Sequence, residues 1–557
     1  MTKSRKSVLV ILSILTVAAS ITKIFIGLDF DENYITVLGA RLLQGDHLFR
    51  ECWDLYQTTG FTMALVLGIF KGITGGYEGA ILFCRIVTAI LQLLLGMFTW
   101  YSFRKYFRNA DFAGLVVANM LPRGTMNLEY GFLSCNYILV SMLLLFLISR
   151  EEKNWSRIKV YLLLILVGIL FSMGILCYPT MIIATIVLLV YFFQIRENRN
   201  KGLIFIGTCI ACAVVFCLYV FAYISPSEML NNVFHGILMD ESHGNGNLFE
   251  GFVESFFLSK EKILQVCAIV VGAIATYLIF CWKTKEKIPY VYHIMLLSSV
   301  AIIVLNVFAI RPSGVYGLQI RYFLIVIASV VVLYKLHDRE LIYLFYCMGI
   351  FMLLGTLLGS NLSVAENGAF LYLSLLAVVL GQGEQKSSQW LNQWIAMLSV
   401  MALVVSLIVI KGYIVRVNAT KPANILEIRE QLDFGPFKGI YVYPEEKDIY
   451  SLRKEDIDEK LNKEDIVLVL SQDPIYNIYG QFRFSSTTAL TTPVYGKQWV
   501  EYYKNRNYVQ PTVVLIDKQY FDADELFNQT SFGEFLQEEY DIDSLYEGKG
   551  FWMLRRQ

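Results

Sequence analysis

Over its first 412 residues the chain alternates long apolar runs with short polar breaks. Each run approaches about twenty residues, enough to cross roughly 30 Å of hydrocarbon as a helix. The pattern predicts thirteen spans, approximately 7–27, 80–101, 111–127, 131–148, 160–177, 178–195, 202–224, 263–282, 290–310, 319–335, 340–359, 367–382 and 391–412. The run Gly60–Thr74 is too short to span. It carries Gly60, Gly68, Lys71 and Gly72 and reads as an amphipathic segment lying on the membrane surface. After Gly412 the period changes. IVLVL (466–470) and TVVLI (512–516) read as strands and LRKEDIDEKLN (452–462) as a helix, so residues 413–557 are expected to form a small α/β domain. No internal repeat is visible.

The basic loops set the orientation. The start, MTKSRK, is expected in the cytoplasm by the positive-inside rule. With Gly60–Thr74 on the surface, YSFRKYFRN (101–109), SREEKNWSRIK (149–159), RENRNKG (196–202), KTKEKI (283–288) and KLHDRE (335–340) also become cytoplasmic. Were it a span, all five would lie outside. The first helix reads as a retained anchor, because it is long and lacks a small-residue cleavage site. The odd number of spans places the C-terminal domain outside, along with long outer loops at 28–79 and 225–262.

Composition agrees with a polytopic membrane protein. The chain is 56% hydrophobic, where soluble domains hold about 45–50% even with glycine counted. Its 47 basic and 47 acidic residues cancel, so no global field points to nucleic acid. The ten cysteines follow no disulfide or zinc spacing, and Cys52 and Cys135 are expected to be the exposed thiols. No phosphate-binding glycine loop, serine-nucleophile elbow or HExxH motif occurs, and no cofactor or metal is expected.

The candidate chemistry lies in the first outer loop, GLDFDENYITVLGARLLQGDHLFRECWDLYQTTG (27–60). It holds Asp29, Asp31, Glu32, Asp46, Glu51 and Asp54. Carboxylates near low dielectric can act as bases, whereas acids at a helix end are also ordinary caps. Asp54 has a capping reading of this kind, and Arg41 and Arg85 are placed to pair with the loop's acids. Among outer cations, Arg311 and Arg321 flank RPSGVYGLQIR with Tyr316 between them, suited to phosphate or to snorkelling. Arg123 is a third cation. Tyr130 and Asn136 stand at the entrance of the fourth span, where interfacial tyrosine is common. His235, Asp240, Glu241 and His243 fall in the second long loop at no compact ligand spacing, and its Gly-Asn tip suggests a mobile loop.

The order of apolar helix, DENY (31–34), GARLLQGDHLFRECWDLYQTTGF (39–61) and the helix opening CRIVTAILQLLLGMF (84–98) resembles the GT-C glycosyltransferases, in particular the protein O-mannosyltransferase and aminoarabinose-transferase branch. The layout of spans and outer domain extends the resemblance over nearly the whole chain. It implies a GT-C fold and inverting transfer of a sugar from a polyprenyl-phosphate donor on the outer face of a bacterial plasma membrane. It also implies an envelope glycan, lipid or protein as acceptor. On that basis Asp31 is the expected general base, with Glu32 orienting it or the acceptor. Arg311, Arg321 and Tyr316 are the candidates for the donor phosphate, and Asp29, Asp54, Gln57 and Tyr130 for further substrate contacts. Where relatives often carry a lysine and two prolines, this chain has Gln57, Thr58 and Thr59, which puts a lysine–phosphate contact from this loop in doubt. A transporter or flippase of lipid-linked saccharides is the alternative, and an inactive partner-recruiting subunit a third. A transporter would concentrate ionisable residues deep within its spans rather than in one loop.

Overall fold

The computed structural model describes residues 3–195, 199–237, 253, 260–284, 290–307, 320–329, 338–360, 363–383, 390–413, 425, 427–480, 482–489, 496–505 and 508–556. It is mostly helical. Among the described residues, eight helices are long and apolar enough to cross a membrane: Arg5–Phe25, Ala80–Phe103, Tyr130–Asn154, Arg157–Cys177, Arg199–Phe221, Ile263–Trp282, Leu341–Leu358 and Gln393–Gly412. The other five predicted spans correspond to shorter apolar helices, Ala110–Asn119, Pro179–Ile195, Val291–Val304, Ile320–Ser329 and Gly368–Gln382. Length and composition alone therefore support eight crossings directly among the described residues.

The first elements position the site. Helix α1 (Lys3–Phe25) leads through Gly27 to α2 (Phe30–Leu43). Asp29 caps α2: its backbone is extended and its carboxylate accepts the N–H of Asp31 at 2.9 Å, while Asp31 and Glu32 sit in the dipole-favoured first turn. The short segment predicted at Gly60–Thr74 is a 15-residue helix, α3, opened by a 3-10 turn over Gln57–Thr59. It buries Met63, Leu67 and Phe70 and leaves Leu65, Ile69 and Ile73 exposed. The two helices cross closely at Gly39, where a Cβ would stand 2.5 Å from Met63 Cγ. Then come α4 (Ala80–Phe103), α5 (Ala110–Asn119), α6 (Tyr130–Glu151) and α7 (Arg157–Cys177).

The C-terminal region is α/β. A small antiparallel pair, β1 (Glu430–Gln431) and β2 (Tyr441–Val442), precedes a five-stranded sheet ordered β4-β3-β5-β7-β6. Here β3 is Ile466–Leu470, β4 Arg483–Phe484, β5 Val513–Asp517, β6 Tyr546–Glu547 and β7 Phe551–Arg555. Strands β3, β4 and β5 are parallel, and β7 pairs antiparallel with both β5 and β6. The predicted runs IVLVL and TVVLI form the central strands β3 and β5. Their near-continuous burial fits strands covered on both faces.

The C-terminal region is hydrogen-bonded directly to the segment after α1. Gly27 donates its N–H to Tyr441 O at 2.9 Å, Ile81 to Pro436 O at 3.1 Å and Trp53 to Thr487 O at 2.8 Å. This contact corrects the cysteine expectation. Cys52 and Cys135 are 1% and 0% exposed, because the loop carrying Cys52 folds under residues 485–489 and Cys135 lies in the second turn of α6, among its buried residues.

Candidate active site

Three arginines, Arg85, Arg41 and Arg123, pair with four of the six loop carboxylates. Arg85, on α4, donates from Nη2 to Glu32 Oε2 at 2.6 Å and from Nε to Oε1 at 2.8 Å. The same guanidinium reaches the carbonyls of Ile24, at 3.1 Å, and Gly27, at 2.7 Å. Desolvation pushes the Glu32 carboxyl up, and Arg85 opposes that shift. Glu32 is 1% exposed and its oxygens are committed, so it ties α2 to α4 instead of facing an acceptor.

Arg41 gathers the acids at the far end of α2. It donates to Asp46 Oδ2 at 2.9 Å, Asp54 Oδ2 at 3.4 Å and the carbonyls of Glu51, Ser486 and Thr487. Asp54 also accepts the N–H of Ala489 at 2.9 Å. Asp54 is therefore an interdomain anchor, neither a cap for α3 nor an open substrate contact. Asp29 is spent as the α2 cap. Glu51 accepts the N–H of His47 at 2.9 Å within its own turn and pairs with Arg50 at 3.2 Å.

Asp31 differs. Its side chain keeps 15% exposure and faces Arg123, 11% exposed, whose Nη2 lies 3.2 Å from Asp31 Oδ2. The Arg123 guanidinium stands 4.8 Å from the ring centroid of Tyr130. Tyr130 stacks on Tyr56 with centroids 3.9 Å apart and planes 9° apart, and Tyr178 closes the aromatic wall 4.9 Å from Tyr56. The Tyr56 hydroxyl donates to Gly359 O at 2.6 Å, which fixes the stack.

Glu129 adds a second acid. It caps α6, accepting the N–H groups of Gly131 and Phe132, each at 2.6 Å. Burial pushes its carboxyl up to about 7, against the pull of Arg123, while the Asp31 charge acts in the same direction as burial. Arg123 is thus within the electrostatic reach of both acids. Sequence reasoning did not single out Glu129. Its one local signal is an acid directly before an apolar helix, and that signal is common.

The Gln-Thr-Thr turn has a structural use. Gln57 Oε1 accepts the N–H of Phe49 at 2.8 Å, so it is not an open substrate contact. The hydroxyls of Thr58 and Thr59 donate to Leu176 O and Cys177 O, carbonyls of the last turn of α7. Of the predicted phosphate trio, Arg311 and Tyr316 lie outside the described residues, and Arg321 is 2% exposed in helix Ile320–Ser329. Among the described residues, Arg123 is a cation paired with Asp31. Asp240, Glu241 and His243 also lie outside the described residues, and His235 ends helix Pro226–His235. Among the described residues no group of three metal-ligating side chains converges.

No protein-family model matches the chain, and no curated protein does. Solved structures are similar to it over its whole length. The archaeal oligosaccharyltransferase AglB from Archaeoglobus fulgidus, in complex with an inhibitory peptide and a dolichol-phosphate, is 12% identical with a TM-score of 0.49, over 100% of this chain and 74% of that one. ArnT from Cupriavidus metallidurans in the apo state is 12% identical with a TM-score of 0.43, over 99% of this chain and 98% of that one. The same ArnT bound to undecaprenyl phosphate is 12% identical with a TM-score of 0.42, over 100% and 98%.

Proposed function

We propose that this protein is an integral-membrane glycosyltransferase that moves a sugar from a polyprenyl-phosphate donor to an acceptor hydroxyl on the outer face of the membrane. One observation carries this reading. Of the acids in the first loop, Asp31, the first of the two in the DENY motif, is left partly open beside a cation and an aromatic wall, while the buried acids Glu32, Asp46 and Asp54 are bound into the scaffold.

The chemistry then follows. The acceptor oxygen attacks the anomeric carbon, its bond to carbon forms, and the carbon–phosphate oxygen bond breaks with inversion. The acceptor proton passes to Asp31 as general base. The lipid phosphate leaves as an anion and needs no proton, but it does need positive charge. Arg123, 3.2 Å from Asp31, is the described cation best placed to supply it, and its planar fork suits phosphate. The stacked, buried pair Tyr130 and Tyr56 backs the Arg123 guanidinium and so helps hold it beside Asp31. The sugar and the acceptor, whether envelope glycan, lipid or protein, are chosen by the experiment.

Purified full-length protein in lipid, wild type and Asp31→Asn, is given a panel of radiolabelled polyprenyl-phosphate sugars with envelope extract as acceptor. Label moving to the extract in the wild type and not in the variant supports the reading. Equal transfer in both removes Asp31 from the chemistry. Movement of labelled lipid across sealed vesicles, with no transfer, replaces the proposal with lipid-linked saccharide transport.

A further inference from the structure

The C-terminal region meets the membrane region with an unusual part of its sheet. In open α/β sheets the crevice at the carboxyl ends of parallel strands is where ligands ordinarily bind. Here that edge holds Ser471 and Asp473 after β3, residues 485–489 after β4, and Asp517 at the end of β5. What docks against it is α2. The turn Pro474–Ile478 packs on α2, and Asn33, 0% exposed, donates from Nδ2 to Asp473 Oδ1 at 2.9 Å.

Asp473 is a rigid anchor. It accepts the hydroxyl of Tyr450 and the N–H of Ile475 at 3.1 Å, and its own N–H is held by Ser471 Oγ at 3.0 Å. Ser471 donates to Asp517 Oδ2 at 2.6 Å, and Asp517 is paired with Arg453 at 2.5 Å. The chain of bonds thus runs from the sheet to Asn33, two residues beyond Asp31. The other end of α2 is fixed through Arg41 to the carbonyls of Ser486 and Thr487. A helix held at both ends by loops from adjacent strands has little freedom to rotate or slide.

We propose that Asn33 and Asp473 form a positioning couple through which the C-terminal region sets the first turn of α2 and so places Asp31 against Arg123. The inference rests on the glycosyltransferase reading for its catalytic consequence, but the couple itself is a statement about geometry. Neither residue touches the reacting atoms. Both act through the backbone of α2, and reacting groups tolerate little displacement: about 1 Å can cost ~100-fold in rate.

The test uses the full chain in lipid nanodiscs with two independent readouts. The first is amide hydrogen exchange over residues 30–36, which needs no activity. The second is kcat and donor KM with whichever polyprenyl-phosphate sugar the wild type transfers. The variants are Asn33→Leu, which removes the donor at similar volume, Asn33→Asp, which sets two carboxylates together, and the swap Asn33→Asp with Asp473→Asn, which restores a donor–acceptor pair between the two positions while giving up one of the bonds Asp473 accepts from Tyr450 and Ile475. Exchange in both single variants is expected to rise about tenfold, and kcat to fall roughly 10–100-fold with donor KM within about twofold. The swap is expected to recover part of both losses relative to Asn33→Asp. Unchanged exchange in Asn33→Leu overturns the couple. So does a kcat loss that persists in the swap after exchange has recovered, since Asn33 would then act chemically. If Asn33→Leu fails to fold, Asn33→Asp and its swap decide alone. A wild type that transfers nothing sinks the glycosyltransferase reading, and the exchange measurements then support or overturn the couple by themselves.

Discussion

Arg85 grips both oxygens of Glu32, at 2.6 and 2.8 Å, although the two residues lie 53 positions apart. The adjacent Asp31 is instead left beside Arg123 with partial exposure. Two neighbouring acids of one motif are thereby given different tasks, and their substitutions should fail in different ways.

Glu32→Ala leaves the Arg85 guanidinium buried and unpaired, which costs about 3–5 kcal/mol. The expected outcome is a large loss of folded protein and a lowered thermal midpoint, with activity falling in proportion. Arg85→Lys should behave similarly, since an ammonium cannot span both Glu32 oxygens and two carbonyls. Normal folding of Glu32→Ala with selective loss of kcat would mean that Glu32 takes part in the chemistry.

Asp31→Asn should preserve the fold, because the cap of α2 is Asp29 and the substituted side chain is partly exposed. Transfer is expected to fall about 10²–10⁴-fold, the usual worth of a positioned general base. The check is steady-state transfer beside a melting curve. A fall in melting temperature matching that of Glu32→Ala would make Asp31 a structural acid.

Arg123→Gln removes the cation facing Asp31, which in the proposed function also meets the leaving phosphate. A loss of about 10²–10³-fold in kcat/KM for the donor is expected, with Arg123→Lys retaining part of it as a point charge. Activity unchanged in Arg123→Gln would assign the phosphate to another cation, and Arg321 would be examined next.

Much of this architecture was legible in the sequence, because apolar runs and the period change after Gly412 are local signals. The central strands IVLVL and TVVLI emerged as β3 and β5 for the same reason. The allocation of the acids was not legible. It depends on partners at separations of 53 residues for Glu32–Arg85, 92 for Asp31–Arg123 and 440 for Asn33–Asp473. Composition cannot say which arginine neutralises which carboxylate. Glu129 was missed on similar grounds, since its raised pKa comes from burial in the folded chain and DENY-like motifs draw attention elsewhere. Cys52 appeared exposed because its loop reads as polar, yet the C-terminal region covers it.

Glu129 makes stability pH-dependent. Its carboxyl titrates near 4.5 ordinarily and at about 7 in the fold, with burial the largest cause. The folded state therefore holds this proton more tightly than the unfolded state does. That contribution is complete below about pH 4.5 and is lost as pH rises through 7, amounting to about 3 kcal/mol. Glu446, also raised to about 7 chiefly by burial, slopes the same way. Thermal midpoints at pH 5 and pH 8 should fall with pH in the wild type and fall less in Glu129→Gln. Equal slopes in the two proteins would show that Glu129 is ionised across this range.

Arg41 tests whether the C-terminal region is seated by charge. Its guanidinium, 0% exposed, binds Asp46, Asp54 and three carbonyls, two of them from Ser486 and Thr487. Arg41→Ala leaves two buried carboxylates close together with no cation, so one must take up a proton or the cluster must open to water. Opening is the cheaper course, because the Ser486–Ala489 segment lies at the boundary between the two regions and can lift away. The expected result is protease cleavage near residues 482–489 and release of the C-terminal sheet, while the helical region stays folded. Transfer should be lost along with it, since α2 loses its second anchor. Combining Arg41→Ala with Asp46→Asn and Asp54→Asn removes the repulsion and should partly reseat the sheet, an effect a purely steric role for Arg41 would not produce.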